Sequence, residues 1–274
     1  MGALLEVRDI SVAYRRGHRR IMGVDGVSLD VAAGETVGLV GESGSGKSTI
    51  ARAILGLTRV ERGAVRFAGE DVTHLGFRAR RALYRRMQVV FQDPYGSLNP
   101  VRTVGQTLAE PLQAFGVRDR AAVRARVHAM LDRTGLPETA AERYPREFSG
   151  GQRQRIAIAR ALMLAPELVI CDEAVSALDL SVQAQILNLL RELQATSGLS
   201  YLFISHDLDV VRHLCDRVVV LRHGRVVESG ATADVTAAPA DPYTRSLLDA
   251  APLPDPRLQR QRRAAVRAET EQRS

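Results

Sequence analysis

The chain has 274 residues, 45% of them hydrophobic and 25% charged, a composition that excludes intrinsic disorder and leaves room for one large or two modest cores. The net charge of +7 and the isoelectric point near 10.1 raise nucleic acid or an anionic surface as partners. However, residues 257–274 hold six Arg against two Glu, so that tail carries +4 and the other 256 residues only +3. No aromatic residues are interleaved with these arginines, which favours a solvated basic tail, and nucleic acid is not an expected partner. Of the 38 basic residues, Lys47 is the only lysine.

Along the chain, segments 4–12, 27–31 and 64–67 alternate apolar and polar residues and are short, which predicts an antiparallel patch. Longer apolar runs at 36–40 (TVGLV), 87–91 (MQVVF), 168–171 (LVIC), 201–204 (YLFI) and 217–221 (RVVVL) are separated by helix-period stretches. Such runs predict a parallel sheet covered on both faces, and the fold class is α/β. Between Pro94 and Pro166 no strong strand pattern appears, while 121–133 sets Val123, Val127, Met130 and Leu131 on one helical face and stops at Gly135. The expected organisation is a core of about 4–92 and 165–235, a helical insertion at about 93–164, and an extension at 236–274 ending in a poorly ordered Pro- and Arg-rich tail.

Cys171 and Cys215 lie far apart with no CxxC spacing or metal-ligand cluster, and read as buried thiols in a reducing compartment. The first ten residues hold no basic region followed by an apolar run, and no window approaches the ~18 apolar residues of a membrane span. Any membrane role is expected to be peripheral.

Three motifs carry chemistry. Gly41-Glu42-Ser43-Gly44-Ser45-Gly46-Lys47-Ser48 fits GxxxxGK[ST], directly after the run TVGLV and before a helical pattern at 49–57 that begins with Thr49. Glycines let the backbone curl so that successive N–H groups face a β-phosphate, the ammonium neutralises phosphate charge, and the Ser48 hydroxyl is placed for Mg²⁺. The run LVIC ends in Asp172 and Glu173. At the C-terminal edge of a parallel sheet, Asp172 could hold Mg²⁺ and Glu173 could polarise an attacking water. The third motif, Phe148-Ser149-Gly150-Gly151-Gln152, opens the helical stretch 153–164 and supplies a second anion-accepting helix start.

The P-loop, SGGQ, the DE-ended run and a His after the next run together resemble the nucleotide-binding subunit of an ABC transporter, over about residues 4–256. That resemblance implies a P-loop NTPase core with a mostly parallel sheet, an antiparallel β subdomain, a helical insertion subdomain, and ATP and Mg²⁺ as cofactors. It implies that Tyr14 stacks on adenine and that Gln92 senses Mg²⁺ and the attacking water. It further implies that Ser149, Gly150, Gly151 and Gln152 reach ATP held by an opposite subunit, that Asp179 lies at the dimer contact and that His206 meets the γ-phosphate. Glu173, His206, Gln92 and Lys47 are then the catalytic set, and Ser48, Gln92 and Asp172 the Mg²⁺ set.

Finer wording points further. CDEAVSALD (171–179), FQDPYGSLNP (91–100), YPREFSGGQ (144–152) and DPYTRSLLDAAPLPDP (241–256) resemble the dipeptide, oligopeptide and nickel importer ATPases. The implied function is an ATP-hydrolysing subunit that powers import of peptides, or of a small solute such as nickel, on the cytoplasmic face of a bacterial cell membrane. The implied partners are transmembrane permease subunits, a second ABC ATPase subunit of the same or a homologous chain, and indirectly an extracytoplasmic substrate-binding protein. One alternative is a soluble ABC-type ATPase acting on nucleic acid or ribosomes, which the basic tail supports and the single ATPase unit opposes. Another is an exporter motor, which the motif wording disfavours.

Overall fold

The computed structural model describes residues 2–17 and 19–250; the basic tail and the end of the importer-like segment lie outside the described residues. The first half of the chain forms β1 (Leu5–Arg16), β2 (Arg19–Val31), β3 (Thr36–Val40), α1 (Lys47–Ile54), β4 (Arg62–Phe67), β5 (Glu70–Asp71), α2 (Phe77–Arg86) and β6 (Met87–Val90). A helical run follows: α3 (Pro94–Ser97), α4 (Val104–Ala114), α5 (Arg120–Arg133), two short 3₁₀ turns and α6 (Gly150–Leu162). The chain then returns to alternating elements with β7 (Leu168–Asp172), α7 (Leu180–Ser197), β8 (Ser200–Ser205), α8 (Leu208–Leu214), β9 (Arg217–Arg222), β10 (Arg225–Ala231), α9 (Thr232–Ala237) and α10 (Pro242–Ala250).

The six-stranded sheet runs in the order β10-β9-β3-β8-β7-β6, parallel except for the antiparallel β9–β10 hairpin. The strands β3, β7, β8 and β9 are buried almost throughout because both faces of the sheet are covered there. Val40, Val169, Cys171, Phe203 and Val218 pack with Ile156 and Ile158 of α6, Leu189 of α7 and Val211 of α8. Val37, Leu39, Ile170, Leu202 and Val219 pack with Ile50 and Ile54 of α1 and with Leu5, Val7 and Val65 of the second sheet. That second sheet, β2-β1-β4-β5, is antiparallel throughout, as the alternation predicted. Cys171 and Cys215 are buried free thiols, and burial pushes the Cys171 thiol up to about 12.

The elements depart from expectation where arginine hides the pattern. β1 and β2 run on to Arg16 and from Arg19, well past the apolar stretches at 4–12 and 27–31, because hairpin pairing is a backbone property that continues after the core contact ends. The helix α2 was not anticipated, since FRARRALYRR buries only Arg80 and Leu83. The strand β10 was also missed, because none of its seven residues is fully buried.

Register places the C-terminal strand ends side by side. Val40 of β3 lies opposite Ser205 of β8, Ile204 of β8 opposite Asp172 of β7, and Cys171 of β7 opposite Val90 of β6. The loops that start at Gly41, His206, Glu173 and Phe91 therefore leave one edge of one sheet. Among the described residues no helix is long and apolar enough to cross a membrane.

Candidate functional site

The loop from Gly41 to Gly46 joins β3 to α1. Gly46 is the N-cap of α1 with φ +109 and no side-chain cap, so no side chain takes the first-turn N–H groups of that helix. A Cβ at Gly46 would lie 2.6 Å from the Gly23 carbonyl oxygen, and one at Gly41 2.2 Å from that of Leu221. Only glycine fits at either place. Gly44 turns the exposed tip at φ +80, Ser43 stands in solvent beside it, and the buried Ser45 donates its N–H to the Glu42 carbonyl at 3.1 Å.

Lys47 is only 4% exposed, and its ammonium donates to the carbonyl oxygens of Gly41 at 2.6 Å and Glu42 at 2.8 Å. Burial lowers its pKa, and the neighbouring carboxylates of Glu173, Asp172 and Glu42 oppose that shift. The Ser48 hydroxyl donates to Asp172 Oδ1 at 3.2 Å. Burial raises the Asp172 carboxyl, and the Glu173 charge adds to the rise, against the Ser48 hydrogen bond and the cations Arg52 and Lys47. Glu173 takes a left-handed conformation, φ +51, with its N–H donating to Ile204 O at 3.0 Å. Non-glycine residues adopt this conformation at a cost of roughly 1 kcal/mol or more, and here it turns the carboxylate off the line of β7 toward His206. The Glu173 Oε2 to His206 Nδ1 distance is 3.5 Å, with the glutamate sheltered and the histidine half exposed.

The remaining expected residues fall into two groups. Tyr14 reaches the loop: its hydroxyl donates to Thr49 Oγ1 at 3.1 Å, and its ring lies so close that a Cβ on Gly23 would meet it at 2.8 Å. Gln92, exposed two residues beyond β6, leaves the same sheet edge but makes no hydrogen bond to Ser48 or Asp172. The Ser149–Gln152 segment stands apart. Ser149 caps α6 by accepting the Gln152 N–H at 3.3 Å, while Gln152 Oε1 accepts the Ser149 N–H at 3.0 Å. Gly151 is required because a Cβ there would lie 2.3 Å from Val182 Cγ1. Beside it, Asp179 caps α7 through the Val182 N–H, at 3.0 Å, and the Ser181 hydroxyl, bonds that hold its carboxyl below the usual range. Among the described residues no hydrogen bond or ion pair joins Ser149–Gln152 to the loop at 41–48.

One neighbour of the loop was not foreseen. The Tyr243 hydroxyl, on α10, accepts the Glu42 N–H at 3.0 Å. The wording of 241–256 marked this segment as distinctive, but no sequence signal pairs two residues 201 positions apart.

A glycine loop between a central strand and a helix, with a lysine amid carboxylates at the C-terminal edge of a mostly parallel sheet, defines a P-loop NTPase. The sequence profile of the ABC transporter family matches residues 24–176, and the chain belongs to that family. A Brucella ovis protein named as a peptide import ATP-binding protein is 51% identical over 253 residues, spanning 92% of this chain and 80% of its own. The oligopeptide transport ATP-binding protein OppF of Salmonella typhimurium is 48% identical over 270 residues, spanning 95% of this chain and 81% of its own. Among solved structures, the dimeric ATP-binding cassette MJ0796 in a post-hydrolysis state with ADP and Pi matches with TM-score 0.75 at 30% identity, over 83% of this chain and 98% of that one.

Proposed function

We propose that this chain is the ATP-hydrolysing subunit of a membrane importer for peptides, working as a dimer against transmembrane permease subunits. The observation that carries the ATPase reading is the convergence of Lys47, Ser48, Asp172, Glu173 and His206 at one sheet edge. Peptide as the cargo is supported by the names of the relatives that match almost the whole chain.

In this reading the first-turn N–H groups of α1 and the Lys47 ammonium bind the β- and γ-phosphates, and the Tyr14 ring lies beside α1 to take the base by stacking. Ser48 and Asp172 fit Mg²⁺: both are oxygen donors, they already face each other at 3.2 Å, and burial plus a neighbouring carboxylate makes the Asp172 site favour a cation. Mg²⁺ bound there would neutralise charge that develops on the β- and γ-phosphate oxygens. Glu173 takes the proton of the attacking water, and His206 donates to the γ-phosphate from 3.5 Å beside it. Gln92 completes the set by closing on this edge when the helical block 93–164 moves.

Ser149, Gly150, Gly151 and Gln152 serve a second ATP site, that of the partner: Ser149 and Gln152 are exposed, and among the described residues no hydrogen bond or ion pair ties the segment to the loop of its own chain. Two chains then sandwich two ATP molecules, and the triphosphate bridges the two faces until hydrolysis releases them. The chain acts peripherally on the cytoplasmic face of the membrane, fed through a substrate-binding protein outside it. Purification of the full chain from host membranes tests this. Recovery with permease subunits, and ATPase activity that rises when peptide-loaded binding protein is added, is the expected result. RNase-sensitive sedimentation with ribosomes would replace it with the nucleic-acid alternative.

A further inference from the structure

We propose that Tyr243, on the C-terminal helix α10, is a positioning residue for the phosphate-binding loop, so that the extension after the core is part of the nucleotide site. The proposal rests on the reading of residues 41–48 as an ATP site.

Residue 42 is a junction. Its N–H donates to the Tyr243 hydroxyl at 3.0 Å, and its carbonyl accepts both the Lys47 ammonium at 2.8 Å and the Ser45 N–H at 3.1 Å. An N–H engaged by the protein cannot turn toward an anion, and a peptide plane held at one end is held at the other. The Glu42 N–H shares its peptide plane with the Gly41 carbonyl, so Tyr243 sets the plane whose oxygen accepts the Lys47 ammonium at 2.6 Å, and the Glu42 carbonyl that closes the turn with Ser45 follows in the next plane, one Cα away. The loop offers phosphate the donors that follow, and not this one.

The tyrosine is itself fixed. Its side chain is 7% exposed, and the Arg222 guanidinium lies over its ring at 4.8 Å from the centroid. Arg222 ends β9 directly after Leu221, the residue whose carbonyl excludes a Cβ at Gly41, so ring and loop flank the same strand end. The start of α10 is pinned by Glu228 of β10, whose carboxylate accepts the N–H groups of Ala240 at 2.8 Å and Asp241 at 3.1 Å. Asp241 in turn accepts the Tyr243 N–H at 2.7 Å, and Pro242 opens the helix without a donor to satisfy. The tripeptide Asp241-Pro242-Tyr243 thus reads as cap, helix start and clamp.

Tyr243→Phe keeps the ring, its burial and its stacking, and removes only the acceptor. In the full-length chain it is expected to weaken ATP binding, read by calorimetry, by about threefold to tenfold, the worth of one such hydrogen bond. Exchange of the Glu42 amide with deuterium should rise by about tenfold, while the melting temperature stays within a degree or two. Wild-type affinity together with wild-type Glu42 exchange would make Tyr243 a packing residue and overturn the proposal. Glu228→Ala, which frees the corner at 240–241 without touching ring or loop, should move both readings in the same direction by less. If Tyr243→Phe does not fold, unchanged Glu42 exchange in Glu228→Ala overturns the proposal in its place. A wild-type chain that binds no ATP, with exchange still faster in Tyr243→Phe, would remove the ATP reading and leave the clamp standing.

Discussion

The glycine loop at 41–46 and the helix start at 149–152 are both suited to anions, yet they are built in opposite ways. The loop is wired from every side within its own chain: Lys47 inside it, Ser48 to Asp172, Tyr14 to Thr49, and the Glu42 N–H to Tyr243. The helix start keeps its hydrogen bonds to itself, through the reciprocal cap of the exposed Ser149 and Gln152, with Gly151 packed against Val182. One region draws its contacts from across the chain, and the other keeps its polar contacts local; both are ordered in folding, the second by its cap.

The sharpest way to separate the two is to disable each and read binding apart from turnover. Glu173→Gln should lower turnover by about 10²- to 10⁴-fold, the range for loss of a positioned base, with ATP affinity retained. Normal hydrolysis would remove Glu173 from that role. Lys47→Ala should weaken nucleotide binding by the single chain about 10- to 100-fold, since a charge-assisted contact is lost; unchanged calorimetric affinity would count against the loop as the site. Ser149→Ala should leave single-chain affinity at the wild-type value while turnover at high protein concentration falls about tenfold, with about 1 kcal/mol lost from the α6 cap. If it weakens the single chain's binding, the contrast between the two regions breaks.

The smallest expected effect lies away from both. Arg86 at the end of α2 pairs with Glu167 ahead of β7, at 2.5 Å and 2.9 Å, and its hydrogen bond holds the Glu167 carboxyl below the usual range. The two side chains are 38% and 45% exposed, so screening limits the pair to about 0.5 kcal/mol. Because the folded carboxyl is the stronger acid, this stabilisation is present above the ordinary glutamate pKa and fades as pH falls through the lowered one. The difference between wild type and Glu167→Gln in urea melts should follow that course.

What could be read from the sequence depended on whether a function sits in one contiguous run. The phosphate loop did, because its spacing is dictated by a backbone that must curl round an anion, and the DE-ended run did, because a doubly covered strand must be apolar to its last buried residue. The parallel sheet and antiparallel patch followed from the same periodicities. Arginine-rich α2 and the half-exposed β10 did not show, since neither carries an apolar stripe. The Tyr243 clamp was out of reach for another reason. Its partner is a backbone N–H, which has no side-chain identity to read.

The solitary lysine has a practical consequence. A lysine-specific endopeptidase has one cleavage point in the whole sequence, after Lys47, giving fragments 1–47 and 48–274. That bond lies at the first residue of α1, with the side chain buried beneath two carbonyls. A protease must draw several residues of extended backbone into its cleft, so the rate of this single cut measures how often the loop lets go of its lysine. The chain therefore carries its own reporter of loop opening, readable on a gel without label or substitution, and anything that seats on the loop or loosens α10 will register as a change in one band.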